Sequence, residues 1–384
     1  TLSPSSAASD VYKRQDMEQA SKNGYPHFML KEIEEQPAVV ERTLEVYIKP
    51  DGKIDFGKAF EKIDFEKIKE IDIIACGTAY HAGLQAAYFF KKMAKIKTNV
   101  DIASEFRYSD PFLTEDNLVI FISQSGETLD TLMALKLARS KGAKTLAITN
   151  VVGSTISREA DVVLYTVAGP EISVASTKAY TTQVVTFYLL ALYVAFKCKR
   201  VTLEEYDSYL DKIYSLSEKI GKMFFNKEKI EKIAQKIKDK KNGFYIGRGI
   251  DEKITREGSL KMKEITYIHT EAFPAGELKH GPIALIEEGT MIVVVSTQRD
   301  MVEKVASNIK ELKARGAFVI SVTKADYKEI LDVSDRVILI DDIDDMVAPL
   351  LSMIPLQLLS YYTAVAKGLD VDKPRNLAKS VTVE

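Results

Sequence analysis

The chain has 384 residues, enough for two or three domains with sizeable cores. Its 46% hydrophobic and 28% charged residues are typical of a globular protein, and a net charge of −2 gives no electrostatic reason to expect nucleic acid or an anionic membrane as a partner. The two cysteines, Cys76 and Cys198, lie far apart and the four histidines are scattered. This usage indicates a reducing compartment without a metal site, and a cytoplasmic location is expected.

The first 44 residues differ in composition from the rest of the chain. Residues 1–15 are small and polar without periodicity, which predicts a disordered or foreign leader. Residues 16–44 are charged and helical in pattern, and Pro26 and Pro37 divide them into short pieces. We interpret them as a linker that packs against the main body. No apolar run reaches the roughly 20 residues of a membrane span, and no secretory signal is recognised.

Residues 45–200 form the first predicted domain. A charged helix is expected at 60–68, and a long helix over 176–196 closes the domain. Strands are predicted at 71–75, 100–103, 118–122, 145–149 and 162–166. Helix-length intervals separate most of these strands, which is the pattern of parallel βαβ units.

A charged helical connector over residues 201–241 leads to a second predicted domain over 242–366 and a tail over 367–384. Helices are expected at 253–270, at 302–312 and at 346–367. Strands are predicted at 244–246, 291–295, 318–322 and 337–340.

The second domain repeats the first at a nearly constant offset. Gly77 and Gly247 are 170 residues apart, Ser123 and Ser296 are 173 apart, and Gly142 and Gly316 are 174 apart. Two fused copies of one unit explain this spacing better than chance. The predicted fold class is therefore α/β, with two tandem domains that each contain a parallel sheet flanked by helices, in a flavodoxin-like sandwich.

The turn after the strand at 118–122 carries the clearest binding signal. The sequence SQSGET over 123–128 places three hydroxyls, an amide and a glycine directly before an apolar helix face that begins at Leu129. Free backbone N–H groups at a helix N-terminus attract phosphate groups. Ordinary capping needs one hydroxyl, so an anion-binding loop is favoured over a simple N-cap. The side chains concerned are Ser123, Gln124, Ser125 and Thr128.

A dinucleotide-binding domain is an alternative, because a glycine follows the first strand of each unit. Cys76-Gly77-Thr78 lacks the second glycine of the GxGxxG pattern, and Gly247-Arg248-Gly249 lacks the third. This alternative is disfavoured.

Three ionisable residues share one face of the helix predicted at 253–270. Glu257, Lys261 and Glu264 are spaced four and three residues apart, so their side chains project from one side. The plain alternative is a pair of solvated ion pairs, each contributing about 0.2–0.5 kcal/mol. If Glu264 is partly desolvated, it can act instead as a base for a carbon-bound proton.

Two further residues are weaker candidates from physical chemistry alone. His280 lies beside the Gly281-Pro282 turn, where a lone histidine is more often structural, although it can handle a hydroxyl proton near neutral pH. Lys379 lies in a terminal segment, and such segments usually fray.

Six motifs together resemble the glutamine–fructose-6-phosphate aminotransferase (isomerizing) family, also called glucosamine-6-phosphate synthase. They are ACGT at 75–78, SQSGET at 123–128, VASTKAY at 174–180, KEITYIH at 263–269, ELKHGP at 277–282 and PRNLAKSVTVE at 374–384. The resemblance runs from about Asp16 to the last residue and covers two SIS (sugar isomerase) domains. By this resemblance the phosphate of fructose 6-phosphate is held by Ser123, Gln124, Ser125 and Thr128, and the sugar is lined by Thr78, Val174 and Ser176.

The resemblance also implies catalytic roles. Lys379 forms a Schiff base with the C2 carbonyl, and Glu264, supported by Glu257 and Lys261, moves the proton between C1 and C2. His280 opens the sugar ring from the partner subunit, which implies a homodimer. The product is glucosamine 6-phosphate, and no metal or organic cofactor is implied.

The sequence departs from the family's pattern at its N-terminal end. The family's full-length enzymes begin with a glutaminase domain whose nucleophile is an N-terminal cysteine, and this sequence does not begin with one. The expectation is an isomerase part that uses free ammonia. Two alternatives are a non-catalytic sugar-phosphate-binding regulator and a sugar-amine deaminase or deglycase. The tail PRNLAKSVTVE favours the synthase over both.

Overall fold

A computed structural model describes residues 21–383. The predicted leader at 1–15 and the first residues of the predicted linker lie outside this range. Within it, two α/β units follow one another along the chain, and additional helices precede the first unit and connect the two.

Five parallel strands form the sheet of the first unit in the order β2-β1-β3-β4-β5. They are β1 (Glu70–Ala75), β2 (Lys97–Ile102), β3 (Asn117–Ser123), β4 (Lys144–Thr149) and β5 (Val162–Tyr165). Every residue of β3 is buried, as expected for a central strand covered on both faces. The helices of this unit are α3 (Gly77–Phe89), α4 (Ala103–Phe106), α5 (Leu129–Ser140), α6 (Thr155–Glu159) and α7 (Lys178–Lys197).

The second unit has the same architecture. Its strands are β6 (Asn242–Gly247), β7 (His269–Pro274), β8 (Met291–Ser296), β9 (Phe318–Lys324) and β10 (Arg336–Ile340), and they pair in the order β10-β9-β8-β6-β7. Read from the other edge, this is the order of the first sheet. Its helices are α11 (Ile250–Thr266), α12 (Val302–Lys313), α13 (Lys328–Leu331) and α14 (Ala348–Ala366). The predicted tandem flavodoxin-like repeat is confirmed.

Two sequence predictions in this region were wrong. The expected helix at 60–68 is only a short 3₁₀ helix over Lys58–Lys62, because Phe60, Ile63, Phe65 and Ile68 turn their side chains into the core at spacings that do not fit an α-helix. The helix expected at 253–270 ends at Thr266, where Tyr267 adopts a left-handed conformation.

The residues before the first sheet and between the two sheets form helices that cover the core. They are α1 (Phe28–Glu34), α2 (Gln36–Tyr47), α8 (Leu203–Tyr214), α9 (Leu216–Met223) and α10 (Lys227–Ile237). In the predicted linker, α1 packs on α14, and α2 packs on α7 and α9. Helix α11 of the second unit packs on α3 of the first, so side chains from both units meet along this contact.

Two helices correct the expectation that no segment is long and apolar enough to span a membrane. Helix α7 has 20 residues, and the mean hydropathy of its most apolar 18-residue window is 1.4. Helix α14 has 19 residues, and the corresponding mean hydropathy is 1.2. In each, 89% of the apolar window is buried inside the protein. Buried core helices satisfy the same length and composition test, and both helices contribute to the largest apolar cluster of the described residues.

Candidate active site

The predicted anion-binding loop, residues 123–128, lies between the carboxyl end of β3 and the start of α5. The hydroxyls of Ser123 and Thr128 are 2.9 Å apart, and Ser123 Oγ accepts the N–H of Gly126 at 3.0 Å. Ser125 Oγ accepts the N–H of Glu127 at 3.2 Å. The loop follows β3 beside β1, where the strand order reverses, and ligands of open α/β sheets bind at this switch point.

The C-terminal tail reaches the same loop. The N–H of Leu129, in the first turn of α5, donates to the carbonyl of Val381 at 3.3 Å, while the carbonyl of Gln124 accepts the N–H of Asn150 at 3.1 Å. The tail therefore lies beside the anion-binding loop, and the chain's two most distinctive motifs are neighbours in space.

The equivalent turn of the second unit is filled by the chain itself. The buried Asp251 carboxylate accepts the Thr297 N–H at 2.7 Å and the Thr297 hydroxyl at 2.6 Å. Burial raises the pKa of Asp251 to about 6, although hydrogen bonds from Thr297 and Gln298 oppose the shift. In the second unit a protein carboxylate therefore already occupies these donors.

The three residues on one face of α11 form a buried row with Thr78 of the first unit. Lys261 Nζ lies 3.2 Å from Glu257 Oε1 and 2.6 Å from Glu264 Oε2. Thr78 Oγ1 donates to Glu257 at 3.0 Å and accepts from Lys261 at 3.0 Å. Glu257 and Lys261 have no solvent exposure, whereas the Glu264 side chain is 21% exposed. Solvated surface ion pairs are therefore excluded for this row.

The charges in this row support one another. Burial alone raises the pKa of Glu257, but the Lys261 charge and hydrogen bonds from His81 and Thr78 outweigh it and lower the pKa. Burial alone lowers the pKa of Lys261, but the charges of Glu257 and Glu264 outweigh it and raise the pKa. Glu257 and Lys261 consequently stay ionised, and the contact with Lys261 fixes the position of the Glu264 carboxylate.

His81 extends the row and was missed in the sequence. His81 lies on α3 of the first unit, and its Nδ1 is 2.7 Å from Glu257 Oε2. It follows Thr78 by three residues, so both project from one face of the helix, and this spacing was the signal that could have found it. Among residues 21–383, no group of three or more His, Cys, Asp or Glu side chains is arranged to hold a metal ion.

Lys379 is held on the loop that precedes α7. Its Nζ donates to Glu171 Oε2 at 2.5 Å and to the carbonyl of Ser173 at 2.8 Å. The Ser176 hydroxyl donates to the same Glu171 oxygen at 2.9 Å. The structure therefore brings Lys379 next to Ser176, and it adds Glu171, which no sequence motif identified.

Val174 joins this group through the backbone. Its N–H donates to the carbonyl of Asp372 at 3.0 Å, which attaches the loop to the start of the tail.

His280 is exposed in the 3₁₀ turn Leu278–His280. In the part of the chain that the structure describes, its ring has no hydrogen bond or ion pair with another candidate site residue. Its action from a partner subunit stays a prediction.

The fold and site define a tandem doubly wound α/β protein whose predicted anion-binding loop lies at the switch point of the first sheet. The SIS domain model matches residues 64–193 and 236–367. A solved C-terminal domain of glucosamine-fructose-6-phosphate aminotransferase from Francisella tularensis aligns with a TM-score of 0.88 and 42% identity, over 92% of this chain and 100% of that one. The chain belongs to the SIS-domain family, in the group formed by the C-terminal domains of these aminotransferases.

Curated relatives agree with this assignment. A glutamine--fructose-6-phosphate aminotransferase [isomerizing] from Fusobacterium nucleatum is 59% identical over 96% of this chain, and one from Caldanaerobacter subterraneus is 54% identical over 96%. The chain spans 61% of the length of each. A glucosamine-6-phosphate deaminase from Thermotoga maritima, with a TM-score of 0.70 and 24% identity over 92% of this chain and 99% of that one, shows the fold alone. The family predicted from the motifs is confirmed.

Proposed function

We propose that this chain isomerises fructose 6-phosphate and, when supplied with ammonia, forms glucosamine 6-phosphate. The observation that carries the proposal is the arrangement of two reactive groups around one switch point: Glu264, fixed by a buried ion-pair row, and Lys379, bound beside Ser176. Glu264 lies in KEITYIH at 263–269 and Lys379 in PRNLAKSVTVE at 374–384, two of the motifs that resemble the aminotransferase family.

The first step is substrate binding. The anion-binding loop takes the phosphate of the sugar, because its hydroxyls and backbone N–H groups lie at the positive end of α5. Thr78, Val174 and Ser176 surround the sugar carbons.

The second step is covalent catalysis. The Lys379 amine attacks the C2 carbonyl and forms an imine, which makes the C1 protons more acidic. Glu264 then moves a proton between C1 and C2, while Lys261 holds the carboxylate in place. His280 opens the sugar ring in a homodimer, with one subunit completing the site of the other.

The test is conversion of fructose 6-phosphate to glucose 6-phosphate by the 384-residue chain, measured beside Lys379→Ala and Glu264→Gln. We expect turnover by the parent. In both variants the turnover rate should fall by about 100-fold or more, because a placed acid–base group and a covalent nucleophile each accelerate the reaction strongly. With ammonium added, glucosamine 6-phosphate is the expected product.

Two outcomes favour the alternatives. Fructose 6-phosphate that binds without turnover indicates a non-catalytic sugar-phosphate binder. Release of ammonia from glucosamine 6-phosphate, without isomerase activity, indicates a deaminase.

A further inference from the structure

Glu171 has no assigned role, and its carboxylate is the group nearest to the Lys379 amine. The two oxygens of this carboxylate have different partners. Oε1 accepts the N–H groups of Thr177 and Ala179 at 2.9 and 3.0 Å, at the start of α7. Oε2 accepts from Lys379 Nζ and the Ser176 hydroxyl. Oε1 therefore binds the backbone at the start of α7, and Oε2 binds the lysine.

The pair is exposed only on the side of the lysine. The Glu171 side chain has no solvent exposure, whereas the Lys379 side chain is 25% exposed. Among residues 21–383, Nζ has two hydrogen-bond acceptors, Glu171 Oε2 and the Ser173 carbonyl, which leaves its third N–H for a substrate. The amine can thus meet a bound carbonyl while the carboxylate stays behind it.

A second carboxyl, that of Glu32, lies beside this pair and is bound to the backbone rather than to the lysine. Glu32 Oε1 accepts the N–H groups of Ile172 and Ser173 at 2.5 and 3.2 Å. Burial and the nearby Glu171 charge raise the pKa of Glu32 to about 8. Burial alone also raises the pKa of Glu171, but the Lys379 charge and its hydrogen bonds lower it to about 2. Of the two carboxyls, Glu171 is the one whose charged form is favoured, because the Lys379 ammonium contacts it directly.

We infer that Glu171 is a catalytic residue, the counter-ion and proton carrier of the Lys379 amine during imine formation. This inference rests on the proposed function and deepens it. As the C2 carbonyl approaches, one ammonium proton passes from Nζ to Glu171 Oε2, and the freed electron pair attacks C2.

Glu171 then gives this proton to the C2 oxygen, which becomes a hydroxyl. Glu171 takes a second proton from the attached nitrogen and gives it to the same hydroxyl, so the C2–O bond breaks and water leaves with two of the three ammonium protons. The nitrogen keeps the third proton, and a protonated imine remains. Glu171 begins and ends as a carboxylate, so no outside acid, base or oxidant is needed. Its charge then stabilises the protonated imine at the position that the ammonium occupied.

The experiment traps this imine. The intact chain is mixed with fructose 6-phosphate and sodium borohydride, and the reduced secondary amine is followed by mass spectrometry. Glu171→Gln keeps a carbonyl oxygen for Thr177 and Ala179 but removes the charge beside Nζ. We expect unchanged fructose 6-phosphate affinity, within about twofold, and adduct formation slowed about 100-fold or more, as for a placed acid–base group.

Glu35→Gln is the matched control. Glu35 Oε2 pairs with the buried Lys178 at 2.7 Å, so this variant also removes a carboxylate from a lysine pair near the same loop. It should form adduct at the parent rate. Glu171→Asp keeps the charge but moves it away from Nζ by the length of one methylene group. This variant should fold, and it should form the adduct more slowly than the parent.

The possible results distinguish a failure of the inference about Glu171 from a failure of the proposed function. Adduct formed at the parent rate by folded Glu171→Gln overturns the inference and leaves the proposed function intact. If that variant does not fold, an unchanged rate in Glu171→Asp overturns it instead. A parent that binds fructose 6-phosphate but forms no adduct overturns the proposed function and the inference together.

Discussion

Lys261 has no solvent exposure and lies between two carboxylates, so its charge depends entirely on its neighbours. Burying an ion is costly unless it is paired and hydrogen-bonded. Here Thr78 supplies a hydroxyl, and Glu257 and Glu264 supply opposite charges. Net stabilisation is therefore not the main effect of the row; its effect is to fix where the Glu264 carboxylate lies.

Lys261→Met tests this balance. The variant leaves the buried Glu257 carboxylate without its main counter-charge, so the free energy of unfolding should fall by about 3–5 kcal/mol. Urea denaturation near pH 7 measures the change. The double variant Glu257→Gln/Lys261→Met removes both charges and should recover most of the loss. Equal destabilisation of the single and double variants would show that packing, not charge, sets the stability here.

At the scale of elements, the anion-binding loop depends on one glycine. Gly126 has φ +66°, and a Cβ at this position would lie 2.0 Å from Ser154 Oγ. The turn between β3 and α5 is thus closed against the start of α6. A side chain on Gly126 has no room unless the hydroxyls around it move.

Gly126→Ala should therefore lose ligand affinity as well as stability. Gly142→Ala is the control, because Gly142 has φ +86° but no atom within 4 Å of its added Cβ. Both variants should lose about 1–2 kcal/mol of stability, because alanine is disfavoured in the left-handed backbone conformation. Only Gly126→Ala should weaken fructose 6-phosphate binding, by about tenfold or more, as loss of a charge-assisted hydrogen bond implies. Calorimetric titration of both variants measures this, and equal affinities would contradict the assigned role of the loop.

The filled turn of the second unit gives a prediction about pH. The pKa of Asp251 is raised from 3.8 to about 6 in the folded protein, so folding favours the protonated acid. Its contribution to stability is full below the unfolded pKa and is lost as pH rises through the folded pKa. The loss between about pH 4 and pH 6 should be on the order of 2–3 kcal/mol. Asp251→Asn should remove this part of the pH dependence, which urea denaturation at pH 4, 5, 6 and 7 detects. An unchanged profile would show that another group titrates in this range.

The sequence predicted nine of the ten strands because their apolar runs and spacing follow directly from burial. It missed β7, which lies at the edge of the second sheet and alternates between exposed and buried residues without an apolar run. The repeat itself could have located β7, since β2 occupies the same place in the first sheet. Short edge strands are recognised by topology rather than by composition.

The candidate site was predictable where a local pattern carries it. The loop at 123–128 and the spacing of Glu257, Lys261 and Glu264 could be seen in the sequence. In the structure the loop hydroxyls are neighbours, and the three ionisable side chains contact one another. Glu171 could not be found in this way, because it meets Lys379 across 208 residues and no spacing rule connects them. His280 could be named only through the family resemblance.

At the scale of the whole molecule, the tail and the helix before the first sheet form one assembly around the site. The Asp372 carboxylate accepts the Phe28 and Met29 N–H groups at 2.9 Å each and so caps α1 from the far end of the chain. The Asp372 carbonyl accepts the Val174 N–H. Helix α1 also provides Glu32, which binds the loop next to Glu171. A displacement of α1 would therefore move both the tail that carries Lys379 and the loop that carries Glu171.

Asp372→Ala tests this connection. Loss of the cap should cost about 1 kcal/mol, increase hydrogen exchange at Phe28 and Met29, and slow borohydride trapping at Lys379, because the tail loses one of its attachments. Asp370→Ala is the control, since among residues 21–383 the Asp370 side chain accepts N–H groups from the tail alone, those of Asp372 and Lys373. It should leave exchange in α1 unchanged. If Asp372→Ala changes exchange in α1 but not the trapping rate, the helix is anchored by the tail without influencing the lysine, and the Lys379 site is positioned by the Glu171 loop alone.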